Sequence, residues 1–532
     1  MSVSAVNEFL QKQNEVLSKH HTDVTYASWM AATTGEDEWV EKTSAAQTAL
    51  SLYYADQSLL EQVKQYRQLD GLAEEEKRQL GLLYAQCVQN QLPEETLKEM
   101  NDLSSELVHA FSTYRAEIDG APINDNDIRQ ILVQSDDNAE REKAWYASKQ
   151  IGRVVEERLI QLVKKRNAAA QSLGYENHHQ MSFELNELDR EFVFETFKQL
   201  KEASDDTYRA IKAEIDEELA TRFGLSVEDL RPWHYADPFF QEAPPSKDID
   251  LDPYFQDQDL EALTVQTFED MGLEIRDMLQ NSDLYPREGK NQHAFCTDIR
   301  RPDDVRVLCN NEQSHYWSTV MLHEFGHAVY SKYVDPNLPF MLRTYAHILG
   351  TEAIAMYYGR LTKDPVWFKR YLSIDSAEVD EMAPQLHKML QKQMLIQARW
   401  MMAFTFFERE LYEDPDQDLN RLWWEIVEDV QLVHPPERQD EPHWAAKIHF
   451  TLAPVYYQNY LLGELTTSQL HDYILEHVSE DIYTPAVGTY LKAHYFHPGA
   501  KYHWNEKLEK ATGAKLDPQH FIRHFVPKRM EV

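Results

Sequence analysis

The segment His323-Glu324-Phe325-Gly326-His327 has the residue types and the spacing of a metal site that activates water. Two histidines four residues apart lie about 40° apart around a helix and about 6 Å apart along it, so both imidazoles can reach one ion. Glu324 follows the first histidine and can take a proton from water that the metal polarises. Because the chain has 22 histidines, about one chain in ten of this composition would contain the pattern by chance. The surrounding residues therefore have to distinguish a zinc hydrolase site from a coincidence.

The residues on either side of this motif predict that it lies on a buried helix. Apolar side chains recur at helical spacing over residues 314–330, and no proline interrupts them. Asp335-Pro336-Asn337-Leu338-Pro339 then predicts the end of the helix. A helix is the element on which two histidines four residues apart face the same side.

A carboxylate on the next helical run is the candidate third ligand. Glu352 lies in an otherwise apolar stretch, 25 residues after His327. A buried carboxylate needs a partner, and a zinc ion held by His323 and His327 would be one. The alternative is an ion pair between Glu352 and Arg343 or Arg360. We favour the zinc site, with both histidines and Glu352 as its ligands.

These features resemble those of the gluzincin peptidases, in which the third zinc ligand is a glutamate on the helix that follows the HExxH helix. The finer resemblance is to the peptidyl-dipeptidase A family, the angiotensin-converting-enzyme-like peptidases. The thimet oligopeptidase and oligoendopeptidase F family is a close second. His293-Ala294 precedes His323 by thirty residues, and a His-Ala pair stands at that spacing on the substrate-binding strand of the converting enzymes. Lys447-Ile448-His449 and three tyrosines after it are similar to another motif of that family.

The resemblance implies a role for each of these residues. It implies one zinc ion per chain, with Glu324 as the catalytic base. It also implies that Lys447 binds the C-terminal carboxylate of the substrate, and that His449 and Tyr460 stabilise the oxyanion. The other substrate-binding residues that it implies are His293, Ala294, Tyr456 and Tyr457.

Three positions depart from the pattern of the converting enzymes, and one further residue of that pattern is not placed in the sequence. Gln292 stands where they have a disulfide-bonded cysteine, and Met356 stands where they have a carboxylate on the zinc-glutamate helix. Asn459 replaces a chloride-binding arginine. For the glutamine that helps their lysine to hold the carboxylate, the nearest candidate region is Pro232-Trp233-His234-Tyr235. These departures leave the cleavage mode open.

Taken one at a time, several of these residues also fit ordinary structural roles. A lone lysine such as Lys447 is usually at the surface, and His449 without its neighbours would be a core histidine. The three tyrosines alone would be helix packing. The spacing that they share with the family favours the functional roles. The histidines without a ligand pattern are assigned structural roles: His20, His21, His178, His179 and His443.

The composition limits the class of binding partner. With 53 basic and 90 acidic residues the net charge is −37, which opposes binding to nucleic acid phosphates. Most of this charge is expected on a solvated surface, and it would attract cationic peptides. No window of about 18 apolar residues predicts a membrane span. The partners that we expect are short peptides, and the sequence does not give the oligomeric state.

Cysteine usage and the N-terminal residues predict a cytoplasmic protein. The N-terminal residues lack the basic and apolar segments of a signal peptide. Three cysteines, Cys87, Cys296 and Cys309, are too few for a disulfide framework, which fits a reducing compartment. A bond between Cys296 and Cys309 across a strand pair is the less favoured alternative.

The predicted fold class is mainly α, because the chain has only 16 glycines and its long segments are rich in helix-forming residues. Amphipathic periodicity predicts helices over residues 4–20, 37–70, 72–91, 93–119, 137–174 and 190–222. Strands are predicted near 292–300 and 304–310, and a proline- and acid-rich loop over 231–253. We expect residues 1–532 to form one catalytic domain, a large helical body in two halves around a deep substrate channel. A small β-sheet is expected beside the zinc helix.

The predicted function is zinc-dependent hydrolysis of peptide bonds in short peptides, with release of C-terminal dipeptides. Internal cleavage of short peptides, as by an oligoendopeptidase, is the alternative. A third interpretation is a non-catalytic relative that binds zinc and peptides. The intact Glu324 argues against it, because the base has no role in a protein that only binds.

Overall fold

The computed structural model describes residues 2–244 and 249–526. Most of these residues lie in α-helices, which confirms the mainly α fold class. In chain order, the α-helices of the described residues are α1 (Val3–Thr34), α2 (Asp37–Tyr54), α3 (Gln57–Arg67), α4 (Glu74–Gln89), α5 (Glu94–Thr113), α6 (Asp125–Gln134), α7 (Asn138–Ser172), α8 (His178–Leu185), α9 (Arg190–Phe223), α10 (Leu260–Asp270), α11 (Arg276–Asn281), α12 (His315–Lys332), α13 (Ile348–Gly359), α14 (Pro365–Tyr371), α15 (Ser376–Glu413), α16 (Leu419–Gln431), α17 (His449–Leu452), α18 (Gln458–His477), α19 (Pro485–Leu491), α20 (Trp504–Thr512) and α21 (Gln519–Phe525). The strands form two antiparallel hairpins, β1 (Ala116–Ile118) with β2 (Ala121–Ile123), and β3 (Phe295–Arg300) with β4 (Asp304–Leu308).

The chain divides into two compact units, each built from separate segments of sequence. Unit 1 comprises Met1–Gln91, Ile249–His387 and Leu462–Phe521, and unit 2 comprises Leu92–Asp248, Lys388–Leu461 and Ile522–Val532. One boundary falls within the proline- and acid-rich loop of residues 231–253, of which residues 245–248 lie outside the described part. The single catalytic domain with a deep substrate channel stays a prediction.

In unit 1, helices α12 and α13 pack against each other, and side chains cap the start of each. The side chain of Ser314 accepts a hydrogen bond from the backbone N–H of Trp317 at the start of α12. His347 accepts one from the N–H of Leu349 at the start of α13. Nearly every residue of α13 is buried, as expected for a helix that is apolar all round. These two helices carry the HExxH motif and Glu352.

Hairpin β3–β4 packs against α12, which confirms the small sheet beside the zinc helix. Trp29 of α1 joins Ile299 and Leu308 of the hairpin in one buried cluster. Because β3 begins at Phe295, His293-Ala294 precedes the strand that was predicted to contain it.

The three cysteines are free thiols, as favoured from the sequence. Cys296 lies opposite Val307 in the ladder of the hairpin. Cys309 lies just beyond the end of β4, so the two thiols are not directly opposite each other.

In unit 2, the long helix α7 contacts two other segments closely, one at Pro442 and one at Phe450 and Thr451. A Cβ atom on Gly152 would lie 2.3 Å from the carbonyl oxygen of Pro442, so only glycine allows this approach. Arg166 donates hydrogen bonds of 2.8 Å to the carbonyls of Phe450 and Thr451. These bonds fix the chain directly after the Lys447-Ile448-His449 motif.

The bounds of two N-terminal helices differ from the predicted ones. The helix predicted over residues 4–20 continues to Thr34 and ends at Gly35, whose φ of 68° is the left-handed value that glycine favours. The helix predicted over 37–70 is two helices, α2 and α3. The break occurs because the side chain of Asp56 accepts a hydrogen bond from the N–H of Ser58 and caps a new helix.

The helix predicted over residues 93–119 is also too long, because it ends at Thr113. Residues 116–118 belong instead to hairpin β1–β2, which the sequence analysis missed. Its turn residues Asp119 and Gly120 have φ values of 53° and 81°. An Asp-Gly pair is a favoured sequence for a two-residue hairpin turn of this kind, so the signal was present.

Candidate active site

Helix α12 presents two imidazoles toward one carboxylate of α13 in unit 1. The Nε2 atoms of His323 and His327 lie 3.8 and 3.9 Å from Oε2 of Glu352. One ligand atom from each of the three residues lies within 4.8 Å of the others, and the described residues contain no second group of this kind. Zinc bonds of about 2.0–2.2 Å in a tetrahedral site separate the ligand atoms by about 3.4 Å. Two imidazoles and one carboxylate are also a donor set of catalytic zinc sites, so these residues fit a single zinc ion.

The surroundings keep both imidazoles in the form that binds a metal. Burial lowers the pKa of His323 to about 4, and burial together with His323 lowers the pKa of His327 well below its usual value. Both rings are therefore neutral near pH 7, with a nitrogen lone pair available to an ion.

Glu324 is 8% exposed and follows the first histidine directly. Burial, followed by the charge of the Glu352 carboxylate, raises the pKa of Glu324 to about 8. A divalent cation beside the two carboxylates acts in the opposite direction, because it favours their charged forms. The side chain therefore has the environment of a proton acceptor whose pKa is tuned by its neighbours.

Thr351 orients one of the two imidazoles, and the sequence analysis missed it. Its Oγ1 lies 2.8 Å from Nδ1 of His327. When Nε2 binds a metal, Nδ1 carries the proton, and this N–H donates a hydrogen bond to the hydroxyl of Thr351. Nδ1 of His323 has no hydrogen-bond partner among the residues that the structure describes. Its role could have been predicted from the sequence, because Thr351 directly precedes the candidate ligand Glu352.

The segment before β3 is anchored by polar side chains. The fully enclosed side chain of Lys290 donates to the carbonyls of Asp283, Tyr285 and Cys309. Asn310 donates to the carbonyls of Asn291 and Gln292 at 3.0 and 3.1 Å. These carbonyls are therefore engaged by a side chain, which explains why the strand starts only at Phe295.

One edge of β3 pairs with β4, and no other strand of the described residues pairs with its second edge. Near the end of β3, His21 contacts the carbonyl oxygen of Asp298 at 2.6 Å, and Thr25 that of Ile299 at 3.4 Å. The edge nearer His293-Ala294 is the part that could accept an extended peptide by backbone hydrogen bonds.

Lys447, in unit 2, has neutral partners around its ammonium group. Its Nζ donates a hydrogen bond of 2.8 Å to Oε1 of Gln241. The same atom lies 5.4, 5.1 and 5.9 Å from the ring centroids of Phe239, Trp400 and Tyr457. Burial lowers the pKa of Lys447 to about 8, against the opposite effects of Asp237 and Glu242.

The glutamine beside Lys447 is not in the region that the sequence suggested. Residues Pro232–His234 form a short 3-10 turn, in which His234 accepts a hydrogen bond from the N–H of Arg231. Gln241, seven residues after His234, occupies the place beside the lysine.

His449 lies in the same unit, among the tyrosines of its motif. Its ring centroid is 5.1 Å from that of Tyr457, and Tyr457 lies 5.5 Å from Tyr460. Tyr456 and Tyr460 are 5.3 Å apart. Burial, followed by the charge of Lys447, lowers the pKa of His449 to about 4, so its ring is neutral near pH 7. Nδ1 of His449 is enclosed with no partner among the described residues, which leaves Nε2 as the nitrogen that can reach a ligand.

Family comparisons identify the chain. The family model described as peptidase family M3 matches residues 131–527, which is more than half of the sequence and includes both sets of residues above. The chain belongs to peptidase family M3. The family model described as angiotensin-converting enzyme matches residues 2–231. No curated protein matches the chain.

Membership in this family confirms the predicted chemistry. M3 peptidases and the angiotensin-converting enzymes are zinc-dependent peptidases of the gluzincin type. This M3 peptidase therefore hydrolyses peptide bonds with a zinc ion, and its substrates are peptides. Among its described residues, no helix is long and apolar enough to cross a membrane.

The histidines of this M3 peptidase that lacked a ligand pattern have ordinary partners. Nε2 of His21 lies 3.0 Å from the Asp298 carboxylate, and the ring of His20 lies 5.4 Å from that of Tyr53. The remaining contacts join His178 to Ser182, His179 to Phe183, and His443 to Trp424.

Proposed function

We propose that this M3 peptidase removes dipeptides from the C-terminal ends of short peptides. The observation that carries this proposal is the environment of Lys447. Its ammonium forms no ion pair with a carboxylate of the described residues, and its hydrogen-bond partner Gln241 is neutral. A partly buried cation that contacts no carboxylate, and on which Asp237 and Glu242 act only through their charge, is suited to binding an anion. The anion that every peptide with a free C-terminus carries is its terminal carboxylate, and recognition of this group is what the release of C-terminal dipeptides requires.

We propose His323, His327 and Glu352 as the zinc ligands. The ion supplies Lewis acidity, which polarises the substrate carbonyl and makes water more acidic. Glu324 receives the proton of the attacking water on its carboxylate and passes it to the nitrogen of the leaving amine. Its enclosed position excludes bulk water from this proton transfer.

The remaining roles concern the substrate. His293 and Ala294 are proposed to bind the backbone of an extended peptide next to the open edge of β3, which selects for extended chains rather than for particular side chains. His449 and Tyr460 are proposed as hydrogen-bond donors to the oxyanion, an interaction worth about 3 kcal/mol for a well-placed donor. For these two residues the spacing in the sequence is the support, together with the neutral ring of His449, which can donate from Nε2. Tyr456 and Tyr457 complete the proposed substrate-binding set.

Internal cleavage of short peptides is the second candidate. The match to family M3 over the motif region favours it, because the thimet oligopeptidase and oligoendopeptidase relatives belong there. An open strand edge also needs no free C-terminus in its ligand. For the location of the enzyme we propose the cytoplasm, on the support of its three free cysteines.

Mass spectrometry of the products of one N-terminally blocked peptide separates the two cleavage modes. The peptide is offered as the free acid and as the C-terminal amide, each with and without a zinc chelator. We expect loss of successive C-terminal dipeptides from the free acid alone, and no cleavage with the chelator. Equal internal cleavage of both forms would make the enzyme an oligoendopeptidase and would remove the proposed role of Lys447.

A further inference from the structure

The residue that organises the surroundings of Lys447 is Asp237, which belongs to the loop of residues 237–242. Its carboxylate is 6% exposed and accepts hydrogen bonds from three backbone N–H groups of its own loop. These come from Phe239 at 2.9 Å, from Gln241 at 3.0 and 3.2 Å, and from Glu242 at 3.1 Å. A single carboxylate thus determines the path of the loop.

The backbone conformation that Asp237 stabilises is unfavourable for Phe240. Phe240 has a φ of 51°, a value that a bulky side chain rarely adopts outside glycine-like turns. The side chain of Gln431 donates to the carbonyls of Phe239 and Phe240 at 3.1 and 2.8 Å. Hydrogen bonds of the loop N–H groups to Asp237, and of Gln431 to the loop carbonyls, therefore hold Phe240 in this conformation.

This loop supplies two of the groups that surround the ammonium of Lys447. Gln241 accepts its hydrogen bond, and the ring of Phe239 forms one wall around it. A second lysine approaches the loop as well, because Nζ of Lys149 in α7 lies 3.0 Å from the centroid of Phe239. The charge of Asp237 acts on both lysines. The loop that it holds sets the positions of two of the groups around Lys447, Gln241 and Phe239.

We propose that Asp237 is the positioning residue for recognition of the substrate carboxylate, acting through Gln241 and Phe239 on Lys447. This inference rests on the proposed removal of C-terminal dipeptides. Asp237 does not touch the substrate. Its function is to hold the loop so that Lys447 keeps one geometry and stays charged.

Asparagine at this position tests the proposal because it changes little but the charge and the acceptors. An amide of the same size keeps one oxygen and turns an NH₂ group toward the N–H donors of the loop, so hydrogen bonds are lost without a change of volume. It also removes a charge that faces Lys447. The other titratable groups that influence Lys447 or are influenced by it are Glu242 of the loop, Lys149 of α7 and His449. Loss of the Asp237 charge leaves Glu242 as the carboxylate that favours the charged form of Lys447, so Lys447 should lose its proton at lower pH.

The experiment compares kcat and KM of wild type and Asp237→Asn on one peptide as the free acid and as the amide. We expect KM for the free acid to rise about tenfold, with kcat and the KM of the amide unchanged. The alkaline rise of KM for the free acid should also begin at lower pH. Asp189→Asn is the matched control, because Asp189 caps α9 through the N–H of Phe192 at 3.0 Å and has no part in this loop. It should leave the ratio of the two KM values unchanged, because the asparagine oxygen can still accept this hydrogen bond.

Each result has a distinct meaning. If the wild type binds the free acid and the amide equally, the proposed release of dipeptides fails, and this inference fails with it. If the wild type discriminates and Asp237→Asn discriminates equally well, Asp237 is only a loop cap and the proposed function stands. If Asp237→Asn does not fold, the comparison is made in a Phe240→Gly background. There glycine removes the left-handed strain and the loop depends less on the carboxylate.

Discussion

Gly326 and Ala355 meet at the closest approach of the two helices that carry the candidate zinc ligands. A Cβ atom on Gly326 would lie 2.7 Å from Cα of Ala355 and 3.1 Å from the carbonyl oxygen of Ile354. The glycine of the HExxH motif in this chain therefore sets the distance between α12 and α13. That distance in turn sets the separation of the two imidazoles from Glu352.

Replacement of Gly326 by alanine should separate these helices and weaken zinc binding. We expect the free energy of unfolding to fall by about 1–3 kcal/mol from overpacking. The affinity for zinc should fall about tenfold, because Glu352 moves away from both histidines. Zinc titration against a chromogenic chelator, together with denaturant unfolding, measures both effects.

Gly81→Ala is the control for this substitution. Gly81 lies within α4 and a Cβ atom added there meets no atom within 4 Å. Alanine at this position should stabilise the protein by about 0.5–1 kcal/mol and leave zinc affinity unchanged. Equal effects of the two substitutions would contradict the role of helix spacing.

Thr351 should contribute to zinc affinity without contacting the metal. Thr351→Val keeps the shape of the side chain and removes the hydroxyl that accepts from Nδ1 of His327. Loss of such a partner typically costs about 10–100-fold in metal affinity. Activity at saturating zinc should be largely retained, since the ligands remain. Thr264→Val is the control, because among the described residues the buried Thr264 hydroxyl donates a hydrogen bond only to the carbonyl of Leu260 in its own helix, at 2.7 Å. A zinc affinity that is equal in both variants would exclude the orienting role of Thr351.

Glu324 and Glu352 are both buried glutamates, yet substitution by glutamine should affect them differently. Glu324→Gln should keep one zinc ion per chain and lower kcat by about 10²–10⁴-fold, because the ligands stay and the base is lost. Glu352→Gln should lose zinc to a chelator more readily, because a neutral amide oxygen replaces an anionic ligand. Metal content and peptide hydrolysis, measured on the same preparations, test the pair. Unchanged hydrolysis by Glu324→Gln would support a different base.

The part of the candidate site that could be predicted is the part fixed by helical geometry. His323 and His327 share one turn, so their positions relative to each other follow from the helix alone. Glu352 was found because a single acid in an apolar helix needs a partner. Thr351 could have been recognised as its neighbour, and hairpin β1–β2 from its Asp-Gly turn.

Other features depend on contacts that no local pattern encodes. Gln241 meets Lys447 across 206 residues of sequence, through a loop with a strained φ at Phe240. The start of β3 at Phe295 depends on Asn310, which engages the preceding carbonyls from the far side of the hairpin. In each case a side chain binds a distant group, and periodicity carries no information about such a bond.

The lowered pKa of Lys447 predicts opposite effects of alkaline pH on substrate binding and on stability. Burial brings the pKa from its usual 10.5 to about 8 in the folded protein. Lys447 is therefore charged below this value and loses its charge as pH rises through it. KM for a free-acid peptide should be constant below pH 8 and rise above it, while KM for the amide stays constant. Lys447→Met should raise KM for the free acid at neutral pH and remove this alkaline rise.

Alkaline pH, which should weaken substrate binding, should increase the contribution of Lys447 to the free energy of unfolding. Between pH 8 and 10.5 the unfolded chain still binds the proton that folded Lys447 has released. The contribution of this residue to the free energy of unfolding therefore increases with pH across that window, because the unfolded state binds more protons. The difference between wild type and Lys447→Met in denaturant unfolding isolates this contribution from the other groups that titrate there. A difference that is constant across the window would mean that Lys447 is not desolvated. The alkaline rise of KM would then need another titrating group.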